Sequence, residues 1–471
     1  MSNGDVNKIR LFTLCTIIAV SSNWQYGFSS TYLNTPVQQF KAYLNESIIR
    51  KGEEMTDYTY SWMWDLIENI WFVGFFLGIW LSPILNDRFG RKPGLIIANS
   101  LNVISSILQF LGVYLFEPSI LIIGRAIASI ATAVAYEANV LYLQECSPTS
   151  LRGATSFVSE IAFAAMCVVG MMLGTDEILG NSLNILLAVN IPPCILAVVV
   201  IFFIPETPKY LLITRGRRKA AGDSIRFYQG EGQDVAVCLK EMEIESVDES
   251  SYITSFTQVP QLFKEKHLRK GLILSVAALQ NTIPLWTFIY NSTDFLLDIN
   301  LSSSIASWAS TMLCVLYLIG TIIGSTLVDR FGRRKMLIPC TLIDVLCIIL
   351  FVVFSLLQPN WSVTNYFALL SLQVYCFVYG LGVGAISWFL SAELSPIKYR
   401  SLMQSASYSI NTIFVVISTF AILPLYSLIG SYSFLILYTI PSITALAYLI
   451  IYLPETKGRE THEIVMDLKS S

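Results

Sequence analysis

Apolar stretches of about 20 residues or more, the length that spans the hydrocarbon of a bilayer, recur from one end of the chain to the other. They fall at 11–33, 64–86, 94–116, 119–144, 154–179, 183–204, 269–298, 302–328, 336–358, 363–392, 400–428 and 431–453. Stretches of that length and hydropathy are expected to cross lipid as helices. Twelve such helices make an all-α membrane protein. The longer stretches leave room for tilt or for a break within the span.

Composition agrees with this pattern. Hydrophobic residues make up 54% of the 471 positions and charged residues only 13%, against roughly a quarter charged in soluble chains. The basic residues add an orientation. All of the 30 Lys and Arg lie in the terminal segments or alternate connections, except Lys41, Arg50, Lys51 and the in-span Arg125. That bias predicts both termini in the cytoplasm. The first apolar run follows Lys8 and Arg10 but precedes no small-residue cleavage site, so a retained span is expected. None of the nine cysteines falls in an expected external loop, which argues against disulfides. The net charge of −3, with no basic stripe interleaved with aromatics, gives no support to nucleic-acid binding. Two distant histidines, His267 and His462, indicate neither a metal site nor catalysis. No phosphate-binding glycine loop suggests ATP-driven work or a cofactor.

Three motifs occur twice, in the same order. Asp87-Arg88-Phe89-Gly90-Arg91-Lys92 returns as Asp329-Arg330-Phe331-Gly332-Arg333-Arg334. Glu145-Cys146-Ser147-Pro148 with Arg152 returns as Glu393-Leu394-Ser395-Pro396 with Arg400. Pro205-Glu206-Thr207 returns as Pro454-Glu455-Thr456. They follow the second, fourth and sixth span of each half, which defines parallel repeats over 1–204 and 269–453. A charged linker, 205–268, joins them and is expected to hold short helices near 215–228 and 235–245, and 454–471 forms a tail.

These spans, repeats and motifs resemble the sugar porter family of the major facilitator superfamily, and most of all its facilitative hexose transporters. Asn34-Thr35-Pro36, Pro205-Glu-Thr-Pro-Lys-Tyr-Leu211 and Pro454-Glu-Thr-Lys-Gly458-Arg459 carry the likeness further. The resemblance implies the major facilitator fold, with twelve transmembrane helices in two pseudo-symmetric six-helix halves. It also implies a central sugar site and a plasma-membrane location. Asn45-Glu46-Ser47 is a sequon in the large first external loop, where the family often carries a glycan. The substrate segments diverge, however. Gln280-Asn281-Thr282-Ile283-Pro284-Leu285-Trp286 keeps the first amide, shortens the second, replaces a glycine by Pro284 and ends in Trp286. In the tenth span an acid and three prolines are missing while Trp388 remains. Asn411 matches the family, Tyr317 stands where an asparagine is expected, and Glu160 replaces a glutamine. The expected substrate-binding set is therefore Gln280, Asn281, Trp286, Trp388, Asn411, Glu160 and Tyr317.

The doubled motifs have a physical use as a gate. Gly90 and Gly332 permit tight turns, and the arginines beside them reach carboxylates on neighbouring helices. Pairs Arg91–Glu145 and Arg333–Glu393 are expected, within a gating set of Asp87, Arg88, Arg91, Glu145, Arg152, Asp329, Arg330, Arg333, Glu393 and Arg400. Intramembrane acids are functional candidates by default. They are Glu160, Glu137 and Asp294, each with a structural acid bonded to a neighbouring helix as the alternative, which is the favoured one for Asp294 near the external end. Arg125 is a candidate ion partner, and Asp344 is expected against a neighbouring helix. Trp62, Trp64, Trp71 and Trp361 read as interfacial aromatics, and Gly74 and Gly78 as a helix-packing pair. The first span has Ser29 where proton-coupled relatives carry an aspartate, which favours a uniporter. The alternatives are a non-transporting sugar sensor on the same fold and a proton-coupled symporter using Glu160.

Overall fold

The computed structural model describes residues 3–52, 54–148, 151–230, 235–247, 259–299, 301–359, 361, 363–459 and 461–470. Those residues are almost wholly helical. The first half comprises α1 (Asn3–Thr31), α2 (Val37–Ile49), α3 (Asp57–Phe89), α4 (Arg91–Tyr114), α5 (Pro118–Cys146), α6 (Arg152–Leu173), α7 (Leu183–Ala188) and α8 (Ile191–Phe203). Connecting helices α9 (Arg218–Gln229), α10 (Val235–Val247) and α11 (Val259–Lys264) follow. The second half comprises α12 (Lys266–Gln280), α13 (Ile283–Asp298), α14 (Ser303–Phe331), α15 (Arg333–Leu357), α16 (Thr364–Val378), α17 (Gly384–Glu393), α18 (Ile397–Ile429), α19 (Tyr432–Phe434) and α20 (Ile440–Tyr452), and α21 (Thr461–Ser470) ends the chain.

Several expected spans are built from two helices. Lys266–Asp298 joins α12 and α13, and Thr364–Glu393 joins α16 and α17 through a π-helical turn at Tyr379–Val383. In the first of these, Pro284 sits in the opening turn of α13. It has no N–H for the preceding turn, so the helix restarts after Asn281 and Thr282. Eleven stretches among the described residues are long and apolar enough to cross a membrane. The first expected span, α1, is not one of these. Its Ser21, Ser22, Asn23 and Gln25 lower its hydropathy, yet all four are buried against protein, so this part of the helix is screened from lipid by its neighbours. Large apolar side chains such as Phe203, Leu196, Ile451 and Leu342 face outward instead, as lipid-facing positions require.

Small residues set the helix crossings. A Cβ on Gly74 or Gly78 would lie 2.8 Å from Ala126 O or 2.4 Å from Ile130 O, so α3 and α5 touch backbone to backbone. Gly90 and Gly332, with φ of 115° and 95°, make the two sharp turns after α3 and α14. The halves meet where α6 packs on α14 and α3 on α18. The sequence reading missed α2, although Val37, Phe40 and Leu44 carry a helical spacing, and it missed α21, whose Ile464 and Leu468 are buried.

Candidate functional site

A small cavity lies between the halves. Its walls come from α1 (Tyr26), α3 (Trp71, Phe72, Phe75), α13 (Trp286), α17 (Trp388) and α18 (Asn411, Thr412, Val415). The cavity volume is only about 10 Å³, room for about one water, whereas solute sites are commonly several hundred Å³. Both ends of the bundle are packed around it. At one end, Asn34 Nδ2 donates to Ile289 O at 2.7 Å and to Ser292 Oγ at 3.1 Å. Toward the other, Ser405 donates to both oxygens of Glu137, at 3.1 and 3.2 Å. The structure is thus a closed state, with aromatic rings filling the centre.

Of the residues expected to bind substrate, Trp286, Trp388 and Asn411 line this cavity. Asn411 is 3% exposed and its Oδ1 accepts no hydrogen bond among the described residues. Asn281 sits at the helix break, with Nδ2 bonded to Ala277 O at 3.0 Å and Oδ1 unpaired. Gln280, partly buried at the end of α12, is not on the cavity wall. Tyr317 donates its hydroxyl to Glu160 Oε1 across the two halves and lines a second, apolar cavity of about 10 Å³ beside Met171 and Leu285.

Two expectations are corrected. Trp71 is 1% exposed in the middle of α3 and lines the central cavity, so it is no interfacial aromatic. Trp62 and Trp361 remain exposed. Arg125 pairs with none of the buried acids among the described residues. Its guanidinium donates to Ile67 O at 2.7 Å and Tyr32 OH at 3.0 Å and lies over the rings of Tyr32 and Trp71. Backbone carbonyls and π faces disperse its charge in place of a carboxylate. Asp344 is 4% exposed, and neither of its oxygens is hydrogen bonded among the described residues. Asp294 lies exposed near the end of α13.

The doubled motifs form two matching clusters at the end of the bundle that holds both termini. Arg91 meets Glu145 at 2.9 Å and Asp87 at 3.5 Å, while Arg333 meets Glu393 at 2.9 Å and Asp329 at 3.2 Å. Thr207 and Thr456 donate to Glu145 and Glu393, each at 2.6 Å. Glu206 and Glu455 accept backbone N–H bonds from Lys92 and Arg333, at 3.0 and 2.8 Å. Arg88 and Arg330 are exposed, and their carbonyls accept from Tyr210 and Lys457. Arg152 opens α6, and Arg400, 7% exposed, lies in the first turn of α18. A contact from the second cluster crosses to the first half: Asp329 Oδ2 accepts from Ala154 N at 3.0 Å.

Burial pushes the Glu206 carboxyl up to about 7, although the N–H groups of Thr207 and Lys92 and the charge of Arg91 pull it down. The packed cluster therefore holds a proton that an exposed carboxyl would release near its ordinary 4.5. Its stabilisation is complete below that value and is lost as pH rises through about 7. Spin labels at exposed Phe89 and Arg217 should show a distance distribution that broadens between about pH 6 and 8. Glu206→Gln should remove that change, and a wild-type distribution constant with pH would contradict it.

Comparison with known proteins gives the class. The proton:xylose symporter XylE bound to 6-bromo-6-deoxy-D-glucose superposes with a TM-score of 0.81 at 20% identity, over 97% of this chain and 99% of that one. The inward open conformation of XylE from E. coli gives 0.68 at 19%, over 96% and 99%. The fold, with its closed cavity between two halves, is that of a major facilitator transporter. Facilitated glucose transporter member 7 of solute carrier family 2 from Mus musculus is 26% identical over 453 residues, 95% of this chain and 87% of that protein. Member 3 from Homo sapiens is 27% identical over 456 residues, 95% and 90%. The Sugar (and other) transporter family model matches residues 14–468, and the chain belongs to that family.

Proposed function

We propose that this protein moves a hexose or related small polar solute down its gradient by alternating access, as a uniporter in the plasma membrane with both termini cytoplasmic. The repeat units are then 1–204 and 269–453, joined by the linker 205–268, with 454–471 as the tail. The observation that carries the reading is the central cavity, where the unpaired amide oxygen of Asn411 and the hydroxyl of Thr412 stand among aromatic walls. Pyranose rings present C–H faces to aromatic rings and hydroxyls to amides. The solute carrier relatives, facilitated glucose transporters by name, support the same substrate class. The ion-pair clusters act as the inner gate, and Asn45, exposed on α2, is the glycan acceptor.

Uptake of labelled D-glucose by the purified protein in liposomes tests this. Uptake should saturate and be unaffected by an imposed proton gradient, and Asn411→Ala should raise the half-saturating concentration about tenfold, the cost of one lost polar contact. Acceleration by an inward proton gradient would replace uniport with symport, the second reading, which the buried Glu160 favours. Binding without uptake would favour a sensor.

A further inference from the structure

Glu160 is the buried acid that the uniport reading leaves without a task. It lies on α6, 3% exposed, and reaches into the other half. A Cβ placed on Gly384, at the start of α17, would stand 2.7 Å from its Oε1, so the absence of a side chain there lets the carboxylate approach the tenth span. The Tyr317 hydroxyl is its one hydrogen-bond donor among the described residues, and no Lys or Arg pairs with it there. Arg125 commits its guanidinium to Ile67, Ser29 and Tyr32. A carboxylate in a low-dielectric interior with a single neutral donor lacks the partner that such groups ordinarily have.

The surroundings are aromatic, and ring contacts connect them to the cavity wall. Tyr317 lies edge-on to Tyr379 at 5.4 Å and to Phe163 at 6.4 Å. Phe163 packs on Tyr26 at 4.5 Å and on Trp286 at 6.0 Å. Tyr26 and Trp286 are themselves cavity walls. Aromatic faces carry negative quadrupoles, and a box of them around a carboxylate is a site for an ammonium group. Neutral sugar hydroxyls gain little from such a box, and a carboxylate can only accept from them.

The geometry points to a solute that carries a protonated amine on a sugar-like body: Glu160 and the aromatic box take the ammonium, and Asn411 and Thr412 take the hydroxyls. This rests on the reading that the central cavity is the transport site. Glu160 is then the residue that sets specificity, with Tyr317 positioning its carboxylate.

The test uses three probes with one ring, D-glucosamine, N-acetyl-D-glucosamine and D-glucose, in liposome uptake and mutual competition. Wild type should prefer D-glucosamine over D-glucose about tenfold, the scale of a charge-assisted contact with π support, and acetylation should abolish the advantage. Glu160→Gln should remove the preference, so that D-glucosamine and D-glucose compete equally, and a monodisperse elution profile with wild-type Tm reports that the variant folds. Tyr317→Phe should weaken the preference without reversing it. D-glucose uptake with no advantage for the amine, or an advantage that survives Glu160→Gln, overturns the assignment alone. No uptake of any of the three overturns the transport reading together with it. Should Glu160→Gln fail to fold, the wild-type contrast between the free and the acetylated amine still decides.

Discussion

Arg333→Ala should open the end of the protein that carries both termini. The guanidinium is 4% exposed and joins Glu393, 6% exposed, at 2.9 Å and Asp329 at 3.2 Å. Removing it takes from both carboxylates the cation they share, and breaking a buried pair from one side costs about 3–5 kcal/mol. That cost falls on the closed state, because opening lets water reach the stranded charges. It corresponds to a population shift of more than about a hundredfold. Arg91→Ala should act in the same direction but less strongly, since Arg91 is 12% exposed against 4% for Arg333. The Arg333 cluster also carries the contact from Asp329 to Ala154 N across the halves. Gly153→Val should reach the same state by a second route, because its Cβ would stand 2.3 Å from Asp329 Oδ1 and 2.8 Å from Arg333 Nη2. Hydrogen exchange in the first turns of α6 and the last turns of α17 should quicken in both variants. Unchanged exchange in Arg333→Ala would rule out the latch.

Gly320→Val should prevent the second half from assembling. The Cβ would lie 2.1 Å from Phe377 O and 3.1 Å from Leu381 N, both backbone atoms with no rotamer to change. The contact is reciprocal: a Cβ on Gly380 would stand 2.3 Å from Tyr317 O. Helix α14 therefore runs against the π-helical turn of the tenth span with main chain touching main chain. Overpacking commonly costs about 1–3 kcal/mol where side chains can yield. Here the helix axes must separate, so the loss should reach at least the top of that range. It would appear as a collapse in the yield of monodisperse protein and as a lowered Tm. Gly222→Ala is the control. Its Cβ would meet a Val235 methyl carbon at 3.3 Å, and alanine favours the helix, so Tm should hold or rise. A normal yield and Tm for Gly320→Val would show that the crossing is not so tight.

The two charge clusters were largely legible in the residues. Two glycines between a phenylalanine and an arginine, each followed at a distance by glutamate and serine–proline, announced both the turns and the charge pairs. Arg91–Glu145 and Arg333–Glu393 stand as expected, because charged groups at one membrane level beside a tight turn have few other partners. The cavity was far less legible. Trp71, Phe72 and Phe75 belong to a stretch of a 33-residue helix, 70–81, that is apolar on every face, so nothing in its pattern separates a lipid-facing ring from a cavity-facing one. Arg125 misled for a related reason: sequence shows the charge and its depth but not the carbonyls that satisfy it.

The chain by itself determined that it crosses a membrane many times, that its motifs repeat in the same order, and where the turns and paired charges lie. Those features rest on local length, hydropathy and turn chemistry, which neighbours in space cannot overturn. Only the tertiary structure decided which rings line the centre, that Glu160 has Tyr317 and no cation beside it, and that the polar part of α1 is screened from lipid. Within a membrane nearly every helix face is apolar, so the direction a side chain takes depends on packing between helices far apart in sequence, and that packing exists only once the halves have closed on each other.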